Sequence, residues 1–130
     1  SGAAGGAAPL GRITAAAVAG VPAEVMGIGP VPAAIALLRK LGLTVEDIDL
    51  FEINEAFGAQ AESVRRALGV PRERFNVNGG AIAFGHPLAA TGVRCVLSVL
   101  MELRRCGKRR AIAGACAGGG QGMALLLEVD

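Results

Sequence analysis

The sequence predicts a layered α/β domain, and three observations carry that expectation. Short apolar runs at 47–53, 111–117 and 123–129, bounded by polar or turn residues, have the length of buried strands. Between them lie segments with apolar residues three and four apart, the spacing of a helix face. Hydrophobic residues make up 52% of the 130 and charged residues 18%, which excludes intrinsic disorder and calls for elements buried on both faces or a large interface. The length suits one domain with a core that needs no disulfide or metal staple.

Taken in order, residues 1–9 are small, carry no periodicity and read as a flexible lead, leaving 10–130 as the folded part. Residues 12–18 suit a strand. Pro32 fits a helix's first turn, and Ile35, Leu38 and Leu41 give helical spacing up to Gly42. The strand at 47–53 runs into Asn54, a natural helix N-cap. The helix after it places Phe57, Ala61, Val64 and Leu68 on one stripe and stops at Gly69 and Pro71. Residues 72–86 hold Asn76, Asn78, Gly79, Gly80 and Gly85 and read as a loop. Pro87 opens a helix to about Cys106. Its Val93, Val96, Leu97, Val99, Leu100 and Leu103 cover most of its circumference, so it is expected to be largely buried. Gly107 ends it, and strands at 111–117 and 123–129 are joined by a glycine loop at 118–122.

Composition excludes several functions. Four aromatics, none of them Trp or Tyr, give no stacking platform for single-stranded nucleic acid, and a net charge of +2 gives no phosphate-backbone footprint. Cys95, Cys106 and Cys116 form no Cys-x-x-Cys pair, and one His cannot complete a zinc site, so no metal is expected and the compartment is read as reducing. The apolar stretch at 111–127 is broken by five glycines and Gln121, which reads as strands rather than a membrane span. The glycine loop lacks the Lys-Ser/Thr and following helix of a phosphate loop. The basic run at 104–110 is a solvated helix end or, alternatively, a patch for an anionic ligand.

Three places carry groups that a core does not need. Asn54, Glu55, Ala56 and Phe57 stand at a strand's C-terminal end, where ligands of α/β sheets bind; a plain N-cap is the structural alternative. His86, between Gly85 and Pro87, is expected just before a helix N-terminus. There a neutral imidazole can take a proton or donate to a developing oxyanion, or simply make a structural hydrogen bond. Cys116, followed by Ala117 and Gly118, ends a strand beside glycines that give a thiol room; a buried packing cysteine is the alternative. Cys95 and Cys106 read as packing or surface residues.

Jointly these segments resemble the thiolase family, specifically its C-terminal domain. The resemblance is carried by Asn54 to Phe57, by the run from Asn76 through Gly85, His86 and Pro87, and by Cys116, Ala117 and Gly118 with their glycine tail. Met26, Gly27, Ile28, Gly29 and Pro30 add a fourth segment. It implies a thiolase-like α/β/α domain with a mixed sheet, the C-terminal half of that fold and clipped at its start. It also implies acyl-CoA chemistry: CoA-dependent cleavage of 3-ketoacyl-CoA or the reverse Claisen condensation, in fatty-acid and lipid metabolism. Coenzyme A and acyl-CoA are then substrates, with no covalently bound cofactor. The acylated Cys comes from a missing N-terminal domain, so this chain alone is expected to be inactive.

Carried over, His86 activates that Cys and helps hold the thioester oxygen, and Asn54 positions a water of the same oxyanion hole. Cys116 is the acid/base, the Gly118 N–H serves a second oxyanion hole, and Ala56 and Phe57 lie along the pantetheine arm. A homodimer or homotetramer is implied, in the cytoplasm or in an organelle matrix if a transit peptide lies upstream. The alternative is a non-catalytic thiolase-like assembly or acyl-CoA-binding module.

Overall fold

A computed structural model describes residue 6 and residues 8–130. Most of the expected lead, residues 1–5 and 7, lies outside the described residues. At its end the Pro9 and Leu10 carbonyls accept hydrogen bonds from Arg104 Nη2 and Nε, at 2.7 and 2.8 Å. The elements are β1 (Arg12–Gly20), α1 (Pro30–Leu41), β2 (Leu50–Ile53), α2 (Gly58–Ala67), α3 (Ala81–Phe84), α4 (Thr91–Cys106), β3 (Arg110–Ala117) and β4 (Gln121–Glu128). The predicted order holds, with short 3-10 turns at Ala23–Ile28, Val45–Asp47 and Arg72–Arg74 and the four-residue α3 added between its members.

The strands form one sheet in the order β1-β4-β3-β2. β4 runs antiparallel to β1 and β3, while β3 and β2 are parallel, so the sheet is mixed as expected. The two-residue pleat divides the side chains between two layers. Phe51, Ile53, Ile112, Ala124 and Leu126 join Ala33, Ala34, Leu37 and Leu38 of α1 and Ala61 and Val64 of α2 in one core. Leu50, Ala111, Ala113 and Leu127 point the other way, onto Cys95, Val99, Leu100 and Leu103 of α4. The result is three layers, helix over sheet over helix.

Two helix faces differ from expectation. In α1 Leu38 is buried as its spacing predicts, but Ile35 is left 44% exposed. The stripe is Ala33, Ala34, Leu37 and Leu38, two alanines and a leucine that the spacing of the larger side chains does not pick out. In α4 one face is buried, while Val93 and Met101 are each 60% exposed and Leu97 is 41% exposed. These three lie four residues apart, one bare apolar stripe along the helix. Both helices end at a left-handed glycine. Gly42 and Gly107 have φ of 66° and 64°, and Leu43 and Lys108 N–H reach back to the Leu38 and Leu103 carbonyls.

The basic run at 104–110 is largely engaged within the chain. Arg104 holds the Pro9 and Leu10 carbonyls, Arg105 pairs with Glu102, and Arg110 Nε donates to Glu128 Oε1 at 2.8 Å. The Asp49 carboxylate accepts from the Arg109 and Arg110 N–H groups, both at 2.9 Å. No helix among the described residues is long and apolar enough to cross a membrane.

Candidate active site

The parallel pairing of β2 and β3 brings two of the predicted segments together. Ile53 lies opposite Gly114, and the Asn54 N–H donates to the Gly114 carbonyl at 2.8 Å, so both strands end at the same edge of the sheet. Asn54 continues β2, and Cys116 is the next-to-last residue of β3. The hairpin after β3 is tighter than expected. Gly118, Gly119 and Gly120 alone make the turn, and Gln121 and Gly122 already belong to β4. Gly119 and Gly120 have φ of 87° and 93°, which an L side chain rarely adopts.

Asn54 is not a helix cap. The segment 54–57 is not helical and bends at Ala56 and Phe57, and α2 begins at Gly58. Asn54 is 2% exposed, its side chain forms no hydrogen bond among the described residues, and its Oδ1 is fully buried without a partner. A buried amide oxygen without a partner is costly, which leaves Asn54 an acceptor free for a water or a ligand group. The turn behind it is held by Gln60, whose Oε1 accepts from the Ala56 N–H and whose Nε2 donates to the Gly27 carbonyl, both at 3.1 Å. That bridge fixes the 3-10 turn carrying Met26 against the 54–57 segment.

His86 arrives on the long loop between α2 and α4, which is anchored to the free edge of β2. Asn76, at φ 46°, uses its side chain as a strand partner: the Ile53 N–H donates to Oδ1 at 2.8 Å, and Nδ2 donates to the Ile53 carbonyl at 2.9 Å. Glu55 accepts from Asn76 Nδ2 and from the Ile82 N–H, at 3.2 and 3.0 Å. Pro87 opens a turn rather than the helix, its carbonyl taking the Ala90 and Thr91 N–H groups, and α4 starts at Thr91. His86 is therefore exposed, and its Nδ1 lies 2.6 Å from Thr91 Oγ1.

Asn54, Ala56, His86, Cys116 and Gly118 line one cleft of about 370 Å³, together with Met26, Thr91 and their neighbours. Phe57 is not among its lining residues and stands 67% exposed. Partial burial raises the Cys116 thiol above its usual value, so the site holds a protonated thiol rather than a standing thiolate. Cys95 is buried under α4, where burial pushes it up to about 11, and Cys106 is exposed with its Sγ on the Glu102 carbonyl. Neither lines this cleft. The arrangement offers a proton donor and acceptor, an amide, an imidazole and a turn backbone around one opening, a set suited to a carbonyl carbon and the proton next to it.

The reading from sequence missed the support beneath the cleft. Two residues before Asn54, Glu52 is 3% exposed and accepts from Arg94 Nη1 of α4's first turn at 2.6 Å. Burial pushes the Glu52 carboxyl up to about 7, with the guanidinium opposing. Folding therefore favours the protonated acid. The stability it contributes is complete below the ordinary carboxylate pKa of 4.5 and is lost as pH rises through about 7. Between pH 5 and 8 the chain is expected to lose about 2–3 kcal/mol, read from urea midpoints. Glu52→Gln should flatten that slope, and a slope unchanged in the variant would assign the loss elsewhere. An apolar strand interrupted by Glu52, and an Arg early in an apolar helix, were the available signals.

Comparison with known proteins agrees with this geometry. The profile of the family described as "Thiolase, C-terminal domain" matches residues 7–129. A 3-ketoacyl-CoA thiolase of Bacillus subtilis is 50% identical over 124 residues, covering 95% of this chain and 32% of that protein. A cytosolic acetyl-CoA acetyltransferase of Mus musculus is 47% identical over 120 residues, covering 92% and 30%. The crystal structure of human mitochondrial 3-ketoacyl-CoA thiolase in complex with CoA superposes with a TM-score of 0.91 at 47% identity, covering 95% of this chain and 31% of that one. The chain thus spans about a third of the length of the relatives it matches. With the family profile over nearly all of it and its mixed sheet shared with solved thiolases, this chain belongs to the thiolase family, as a C-terminal thiolase domain.

Proposed function

We propose that the chain is the C-terminal part of an acyl-CoA thiolase, working with an N-terminal domain that supplies the acylated Cys. The observation that carries this reading is the convergence of Asn54, His86, Cys116 and Gly118 on one cleft at the ends of two parallel strands. In the cleavage direction His86 takes the proton of that Cys, whose sulfur attacks the 3-keto carbon. The bond between the α- and β-carbons breaks, and the Cys116 thiol protonates the departing acetyl-CoA enolate. The resulting Cys116 thiolate then deprotonates incoming CoA, whose sulfur takes the acyl group and expels the Cys as a thiolate, which takes its proton back from His86. A thiol suits this shuttle because its ordinary pKa, about 8.5, is near working pH.

Negative charge on the thioester oxygens is met by His86 with an Asn54-held water, and by the Gly118 N–H. Asn54's unspent side-chain valence fits the first task. A pantetheine arm would run past Ala56, which lines the cleft, and Phe57, the next residue, which is exposed outside that lining. The bare stripe of Val93, Leu97 and Met101 is the surface on which the N-terminal domain would pack. A homodimer or homotetramer goes with this reading. So does a cytoplasmic or organelle-matrix location, in keeping with the mitochondrial and cytosolic relatives.

The test is a chimera in which residues 7–129 replace the matching segment of the Bacillus subtilis relative. Acetoacetyl-CoA thiolysis is expected from the chimera and not from the 130-residue chain alone. A folded but inactive chimera beside an active parent would reject the reading. Turnover by the isolated chain would move the nucleophile into it, with Cys116 the first suspect.

A further inference from the structure

Thr91 has one hydroxyl proton and two polar neighbours, and this decides which nitrogen of His86 faces the cleft. Its Oγ1 lies 2.6 Å from His86 Nδ1 and 3.0 Å from the Pro87 carbonyl, and the residue is 4% exposed. A carbonyl oxygen can only accept. If the Thr91 proton went to Nδ1, two oxygens would face each other at 3.0 Å, inside the protein, with no hydrogen between them. If instead Nδ1–H donates to Oγ1 and the hydroxyl donates to the Pro87 carbonyl, both contacts are hydrogen bonds, and each polarises the other. The Pro87 carbonyl also takes the Ala90 and Thr91 N–H groups, so the acceptor at the end of this relay is itself held in place by the turn that starts α4.

We propose that Thr91 is a positioning residue that fixes the neutral His86 ring as its Nδ1–H tautomer and thereby presents an unprotonated Nε2 to the substrate cleft. This deepens the thiolase reading and rests on it for the use of Nε2, since a base needs a free lone pair where the proton to be taken will stand. The tautomer itself follows from the hydrogen-bond geometry alone. Free imidazole favours the other tautomer, so the arrangement has a signature.

The chain's single histidine makes the test direct. Two-bond 1H–15N correlation spectra of the uniformly 15N-labelled chain, recorded above the ring's titration, contain one imidazole. The expected result is a pyrrole-like Nδ1 and a pyridine-like Nε2, retained in Thr91→Ser and reversed or averaged in Thr91→Val. A pyridine-like Nδ1 in the unsubstituted chain overturns the proposal. So does a Thr91→Val spectrum that keeps the unsubstituted pattern in a folded protein, as judged by its amide dispersion. In the chimera, Thr91→Val is expected to lower kcat about tenfold with KM for acetoacetyl-CoA within about twofold, and Thr91→Ser to restore it. An inactive chimera whose His86 is still the Nδ1–H tautomer would remove the thiolase reading and leave the tautomer standing.

Discussion

Replacing His86 by alanine in the active chimera is expected to cut acetoacetyl-CoA thiolysis about a thousandfold while the protein stays folded. Positioned acid/base groups contribute about 10²–10⁴ in rate and a single oxyanion donor about 10²–10³. In the proposed mechanism one ring does both jobs at different moments, so the larger of the two losses sets the result. The fold has little invested in this side chain. His86 is exposed, belongs to neither core cluster, and among the described residues makes one side-chain hydrogen bond, to Thr91. Losing that bond costs about 1 kcal/mol. Turnover and unfolding midpoints measured on the same preparation separate the two effects, and near-normal turnover would strip His86 of its assigned role.

A large loss of stability is expected from Gly122→Ala. A Cβ built on Gly122 would overlap the Gly29 carbonyl group and stand 2.6 Å from its Cα, and one built on Gly29 would stand 2.6 Å from the Gln121 carbonyl oxygen. Backbone meets backbone here. β4 and the turn that opens α1 touch with no side chain between them, and no flexible group can move aside. Neither glycine is in the left-handed region, so the constraint is space rather than conformation. The added methyl must push away the segment that carries Met26 into the cleft, as well as the start of α1. A destabilisation of about 3 kcal/mol or more is expected, on the order of 10 °C in Tm for a chain of this size. Gly92→Ala is the contrast. Nothing lies within 4 Å of a Cβ at this position in α4's first turn, so it should stabilise by about 0.5–1 kcal/mol. Equal responses at the two sites would mean that the close approach at Gly29 and Gly122 relaxes at little cost.

What was legible in the sequence was what is encoded within a few residues. The order of strands and helices follows from local apolar spacing, and the helix ends at Gly42, Gly69 and Gly107 follow from the freedom of glycine at positive φ. The candidate site residues could be named because Asn54, His86 and Cys116 each sit in a segment with more polar or glycine chemistry than a core requires, and because the segments together resemble one family. Local rules also misled. Asn54 has the side chain of a cap but is the continuation of β2, with its amide buried and unspent. Pro87 can open a helix yet makes the turn before one. Apolar residues around α4 imply full burial, whereas one stripe is left bare, and nothing in the spacing says which apolar residues this chain covers and which it leaves exposed.

Only the tertiary structure decided the rest, because those contacts join residues that local signals do not connect. Asn76 becomes a strand partner of Ile53 only once β2 lies at the sheet edge, and Arg94 meets Glu52 only once α4 covers β2. The Gly29–Gly122 approach exists only when β4 packs beneath the start of α1. Thr91 lies only five residues after His86, but its role depends on the Pro87 turn that folds the hydroxyl back between ring and carbonyl. Periodicity reports which face of an element is apolar; the direction of a hydroxyl proton or the closeness of two backbones is set by how the faces meet.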